Sequence, residues 1–117
     1  MNLKDVKKLS MENEKSLEQI ALKLAEETGE VSQALLSYLQ ASGSVYKNMT
    51  DEDVKEECVD VMIVALSLFY KLNGEDEELQ EVFDRKVRKW KDTIDFQKGM
   101  SDMFERFDDT LKNLGDE

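Results

Sequence analysis

The chain has 117 residues, the size of one domain, and carries 27 acidic against 16 basic residues for a formal net charge of −11. Such a surface repels phosphate backbones, which argues against binding of a nucleic-acid polymer, and it would repel a nucleoside triphosphate too unless metal ions intervened. The absence of histidine excludes imidazole metal sites, Ser-His and Cys-His catalysis and the Glu-x-x-His sites of di-iron bundles, and a single cysteine excludes an internal disulfide.

With no proline, five glycines and 37% charged residues, the chain is helix-forming material throughout, and 40% hydrophobic residues suffice for a modest core. A short amphipathic segment is predicted over Leu3 to Met11, anchored by Val6 and Leu9. A long helix follows from about Lys15 to Ala41, with Asn13 in its N-cap region and Ser42-Gly43-Ser44 ending it. Its apolar stripe is Leu17, Ile20, Ala21, Leu24, Thr28, Val31, Leu35 and Tyr38, at alternating three and four spacing. Thr50 and Asp53 form a capping box that opens the next helix, Asp51 to Leu72, which Asn73-Gly74 stops. That helix is apolar on nearly every side between Val59 and Tyr70, which predicts a central position. A third long helix starts in the acidic run Glu75 to Glu78 and continues to about Ile94. After Lys98-Gly99, the residues Met100, Met103, Phe104, Phe107, Leu111 and Leu114 keep helical spacing, as a fourth helix or an amphipathic arm that needs a covering surface. The expected organisation is a helical domain over 1–98 and a C-terminal helix or arm over 99–117.

The longest apolar run, Val61 to Tyr70, is too short to span a bilayer, and the start at Met1 shows no leader pattern. A cytoplasmic protein without membrane contact is therefore expected, and one cysteine fits a reducing compartment.

Two acidic pairs lie inside the apolar stretches. Glu27 and Glu30 flank the stripe of Ile20, Leu24 and Val31, and Glu57 and Asp60 sit where the central run begins. Each pair is spaced i, i+3, so both carboxylates point the same way on a helix. Buried carboxylates must neutralise, pair with a base such as Lys23, Lys86 or Lys89, or hold a cation. Four carboxylates facing one cleft would suit Mg²⁺ or Mn²⁺. Spacing alone decides little, because Glu75/Glu78, Glu78/Glu81, Glu81/Asp84 and Glu105/Asp108 match on polar surfaces. Gly29, in mid-helix, costs about 1 kcal/mol relative to alanine, which a close approach of backbone or ligand would explain.

The blocks Lys23-Leu24-Ala25-Glu26-Glu27-Thr28-Gly29-Glu30-Val31 and Glu56-Glu57-Cys58-Val59-Asp60-Val61 resemble the MazG-like family of all-α nucleoside triphosphate pyrophosphohydrolases. That family carries Glu-Glu-x-x-Glu and, after a spacer, Glu-x-x-Asp on two antiparallel helices. The resemblance covers about Lys15 to Trp90. It implies an all-α antiparallel bundle completed by oligomerisation, as a dimer or tetramer. It also implies Mg²⁺ held by Glu27, Glu30, Glu57 and Asp60, with Glu26 orienting the attacking water or completing the shell. The implied reaction converts a (d)NTP to the nucleoside monophosphate and pyrophosphate, as in clearing unwanted nucleotides from the pool. Lys86 matches a phosphate-contacting lysine of many members, but Trp90 stands where an asparagine is often found. Lys47, beside Tyr46 in the first loop, is a second phosphate-binding candidate. Cys58 reads as a packing residue rather than a nucleophile, and Trp90 as a core or interface anchor. The competing reading is a non-catalytic helical interaction module that keeps the fold and binds a partner through the tail.

Overall fold

The computed structural model describes residues 1–41 and 48–115. Its elements are four helices, α1 Leu3–Glu12, α2 Leu17–Tyr38, α3 Asp51–Lys71 and α4 Asp76–Gly115, with no strand among the described residues. The all-α expectation therefore holds.

Local chemistry sets the boundaries. Asn2 caps α1, its side chain accepting from the Asp5 backbone N–H. The start of α2 differs from the expected one. Asn13 caps the end of α1, and Ser16 begins α2 through a reciprocal box with Gln19, whose side chain accepts from the Ser16 N–H at 2.9 Å. The signal was present in Ser-x-x-Gln, where glutamine does the work of the commoner glutamate. The far end of α2 falls short of Ala41. Gln40 adopts a left-handed φ of 54°, and the Gln40 and Ala41 N–H groups donate back to Ser37 and Leu36. The helix thus closes on a Schellman motif without glycine, and residues 42–44 lie outside the described part.

Thr50 and Asp53 form the predicted capping box of α3. Asn73-Gly74 ends that helix as predicted, with Asn73 at φ 65° and the Asn73 and Gly74 N–H groups donating to Tyr70 and Phe69 carbonyls. Gly74 is required by space: a Cβ there would sit 2.2 Å from the Phe69 ring.

The chain divides into two compact units. In the first, Met1–Gly74, α3 packs against both α2 and α1. The Lys71 ammonium, at the end of α3, donates to the Asn13 carbonyl just ahead of α2, so α2 and α3 run antiparallel. Ile20, Ala34 and Tyr70 form the buried core. Phe69 meets Tyr70 edge-on at 5.5 Å, and Lys7 of α1 lies over the Tyr70 ring at 5.9 Å, a cation–π contact. The expected burial of α3 on every side is not reached within the chain: Val59, Met62 and Ile63 remain about half exposed. Gly29 also departs from expectation, since a Cβ added there meets nothing within 4 Å.

The second unit is α4. The break expected at Lys98-Gly99 is absent, and one helix of 40 residues runs through it. A single glycine costs about 1 kcal/mol in a helix interior. Helix-forming neighbours and i, i+4 pairs such as Lys91–Asp95 at 2.8 Å offset that cost. No residue of α4 is buried, and Trp90, expected as an anchor, is 67% exposed. No described helix is long and apolar enough to cross a membrane.

Candidate metal centre

The antiparallel pairing of α2 and α3 faces the two acidic motifs toward each other. One carboxylate oxygen each from Glu27, Glu57 and Asp60 lies within 4.8 Å of the others. Burial is graded across the group, with Glu27 at 7% exposure, Glu57 half-buried and Asp60 exposed. Glu30, named with them from the sequence, is not among the three but is close enough to feel two of them. Its carboxyl pKa is raised, first by the negative charge of Glu27, then by desolvation, a hydrogen bond with Glu27 and the charge of Glu57.

Glu27 has a base beside it. Lys23 Nζ lies 3.0 Å from Glu27 Oε1 and 3.6 Å from Glu26 Oε1, and these carboxylates raise the lysine pKa, the hydrogen bond to Glu27 contributing most. The pairing alternative is thus satisfied for half of one carboxylate. Glu27 Oε2 and Glu57 Oε2 are buried with no hydrogen-bond partner among the described residues. A buried, unpartnered charged oxygen costs at least 1–3 kcal/mol by general experience. One lysine does not offset Glu26, Glu27, Glu30, Glu57 and Asp60 together.

Comparison with protein-family models, curated proteins and solved structures gives no match. The reading of the centre therefore rests on its own chemistry.

Opposed ligands of one Mg²⁺ sit about 4.2 Å apart, twice a bond of roughly 2.1 Å, and those of larger cations up to about 5 Å. Three oxygens within 4.8 Å fit that span with small side-chain adjustments. An all-carboxylate set also suits hard divalent cations.

The remaining candidates are not part of this group. Glu26 is exposed and held by Lys23 at the edge of the centre. Lys86 is exposed on α4, in the other unit. Lys47 and Tyr46 lie outside the described residues. Cys58 corrects the packing expectation: its thiol is free and exposed, lining a shallow cleft with Thr28, Val31, Ser32 and Val61. Of the three bases the sequence offers as partners, Lys23 pairs with Glu27, and the structure adds Glu26 as its second partner at a legible i+3 spacing.

The raised Glu30 pKa has a consequence for stability. Its folded-state value lies above its unfolded one, so the folded state holds the extra proton between the two. Without metal, the contribution of Glu30 to stability is most favourable below the ordinary glutamate range and is lost as pH rises through the raised value. Thermal melts across pH 4 to 8 should show Glu30→Gln losing part of that decline and exceeding the parent chain at pH 7. Parallel pH curves for the two proteins would show that Glu30 carries no such strain.

Proposed function

We propose that this chain is a Mg²⁺-dependent nucleoside triphosphate pyrophosphohydrolase of the MazG-like type. The observation that carries the reading is the convergence of Glu27, Glu57 and Asp60 from two antiparallel helices, with two buried carboxylate oxygens lacking partners. Glu27, Glu57 and Asp60 would hold the cation, with Glu30 completing the set. Mg²⁺ bound there supplies Lewis-acid polarisation of phosphate oxygens and a water of lowered pKa. Mn²⁺ would substitute.

The chain's own residues set the rest. Glu26, one residue from a ligand and outside the buried group, would orient the attacking water or complete the shell. Lys23 pairs with Glu26 and Glu27 and offsets part of the negative charge beside the cation site. Lys86 and Lys47 are the proposed phosphate contacts. The products are a nucleoside monophosphate and pyrophosphate, a reaction suited to removing unwanted nucleotides from a cytoplasmic pool. The half-exposed Val59, Met62 and Ile63 support a homo-oligomer, dimer or tetramer, that covers α3.

A non-catalytic interaction module is the second reading, favoured by the exposed apolar residues of α4. Incubating the purified chain with a panel of ordinary and modified (d)NTPs and Mg²⁺, with separate detection of pyrophosphate and orthophosphate, decides between them. Metal-dependent pyrophosphate release from at least one nucleotide is expected. A panel with no release above blank would leave the interaction module, and orthophosphate alone would mean a different phosphohydrolase.

A further inference from the structure

The apolar seam of α4 reads the same in both directions. Measured from Gln97, apolar residues stand at three, seven, ten and fourteen positions toward the N-terminus: Ile94, Trp90, Val87 and Phe83. At the same separations toward the C-terminus stand Met100, Phe104, Phe107 and Leu111. Steps of three and four average 3.5 residues, the period of a left-handed coiled-coil seam. The helix is continuous across this whole stretch, and all these residues except Ile94 are exposed.

A seam with mirror spacing is what a two-fold antiparallel helix pair requires, because residues equidistant from the axis then meet in one layer. We propose that α4 pairs antiparallel with α4 of a second copy of this chain, with the two-fold axis at Gln97. The layers are Ile94 with Met100 of the second copy, Trp90 with Phe104, Val87 with Phe107, and Phe83 with Leu111. Gln97 meets its own copy on the axis, where two side-chain amides can donate to and accept from each other.

Charge selects the same orientation. A basic band, Arg85, Lys86, Arg88, Lys89 and Lys91, lies in the N-terminal half of α4, and Asp102, Glu105, Asp108 and Asp109 lie in the C-terminal half. A parallel, in-register pair would stack the basic band on itself, whereas the antiparallel register sets it level with 103–109, which holds three acids, Glu105, Asp108 and Asp109, and one base, Arg106. On one flank of the seam, Lys91 comes level with Glu105 of the second copy and Asp84 with its Lys112, each within two residues, about 3 Å of rise. Lys98 meets its own copy on that flank, a like-charge contact beside the axis. On the other flank Phe96, 68% exposed in the single chain, meets Phe96 of the second copy. Rim charges of this kind favour one orientation over another more than they add affinity.

The pairing does not depend on the metal centre and can be tested without activity. In the full-length chain with Cys58→Ser, three variants are compared under a short thiol cross-linker: Gln97→Cys, Val87→Cys, and Val87→Cys with Phe107→Cys. Gln97→Cys and the double variant should give covalent dimers. Val87→Cys alone should not, because the two copies of that position would lie about 30 Å apart, twenty residues of rise. The unlinked chain should sediment at no less than twice its chain mass. Linking of Val87→Cys as readily as Gln97→Cys would mean a parallel pair and overturn the proposal. So would a monomer at tens of micromolar, or an oligomer in which neither Gln97→Cys nor the double variant links, since α4 would then be covered otherwise.

Discussion

Glu57→Gln is expected to lower Mg²⁺-dependent pyrophosphate release by at least about 10²-fold while leaving the helical fold intact, because the charge stabilisation supplied by a bound metal is worth several kcal/mol. The change keeps the shape of the side chain and removes one unit of charge. Glu57 Oε2 is buried without a partner, and so is Glu27 Oε2. An amide at 57 offers an N–H₂ donor beside carboxylates for which Lys23 is the one ion-pair partner among the described residues. Without metal the variant should therefore melt no lower than the parent chain, even as turnover collapses. Asp60→Asn should cost turnover in the same way with less effect on the melt, since Asp60 is exposed and its charge is already solvated. Circular dichroism beside the turnover assay separates the two effects. Near-normal turnover in both variants would remove the ligand assignment. Lost turnover with a collapsed melt in Glu57→Gln would instead mean that the carboxylate holds the fold.

A purely structural reading of the acidic cluster makes the opposite prediction. If Lys23 and the carboxylates form an ion-pair network that holds α2 to α3, breaking it should destabilise, as removing one partner of a buried pair does. The geometry bears against that reading. Lys23 sits on the same helix as Glu26 and Glu27, and its ion pairs with them are i, i+3 and i, i+4, so they join no helix to another. The carboxylates facing each other across α2 and α3 are all of one sign, which pushes the helices apart in the absence of a cation.

The helices of the first unit were legible because their boundaries follow side-chain chemistry at fixed offsets. Thr50 with Asp53 and the Asn73-Gly74 stop behave as that chemistry dictates. The ends that differed are those where an unusual residue takes a familiar role, Gln19 in a capping box and Gln40 in the left-handed position. Local propensity at Gly99 favours a break, yet a cost of about 1 kcal/mol does not outweigh continuous helix-forming sequence on both sides. For the site, the i, i+3 spacing and the apolar context brought out Glu27, Glu57 and Asp60, which the fold does bring together. What the sequence could not supply was relative depth. Burial of Glu27 beside exposure of Asp60 and of Cys58 depends on the angle at which α3 meets α2, and the periodicity of either helix alone does not contain it.

Millimolar Mg²⁺ or Mn²⁺ is expected to raise the melting temperature of the chain by about 10 °C, and Glu57→Gln should lose most of that rise. A ligand that binds only the folded state stabilises it by RT ln(1 + [L]/Kd), about 2.7 kcal/mol at one hundred times Kd. For a chain of this size each kcal/mol moves the midpoint by roughly 4 °C. Two effects other than site binding could imitate the result, and each has its own control. With a net charge of −11, any salt screens self-repulsion, so NaCl at matched ionic strength must raise the midpoint far less. Cations condensing on the acidic surface would stabilise the parent and Glu57→Gln alike, whereas a site with Glu57 among its ligands requires the two to diverge. Protons compete for the same oxygens, so the shift should shrink as pH falls through the raised pKa of Glu30. A midpoint that responds equally to sodium and to magnesium, or equally in parent and variant, would place no ion between α2 and α3. The facing carboxylates would then remain an uncompensated cost of that helix pair.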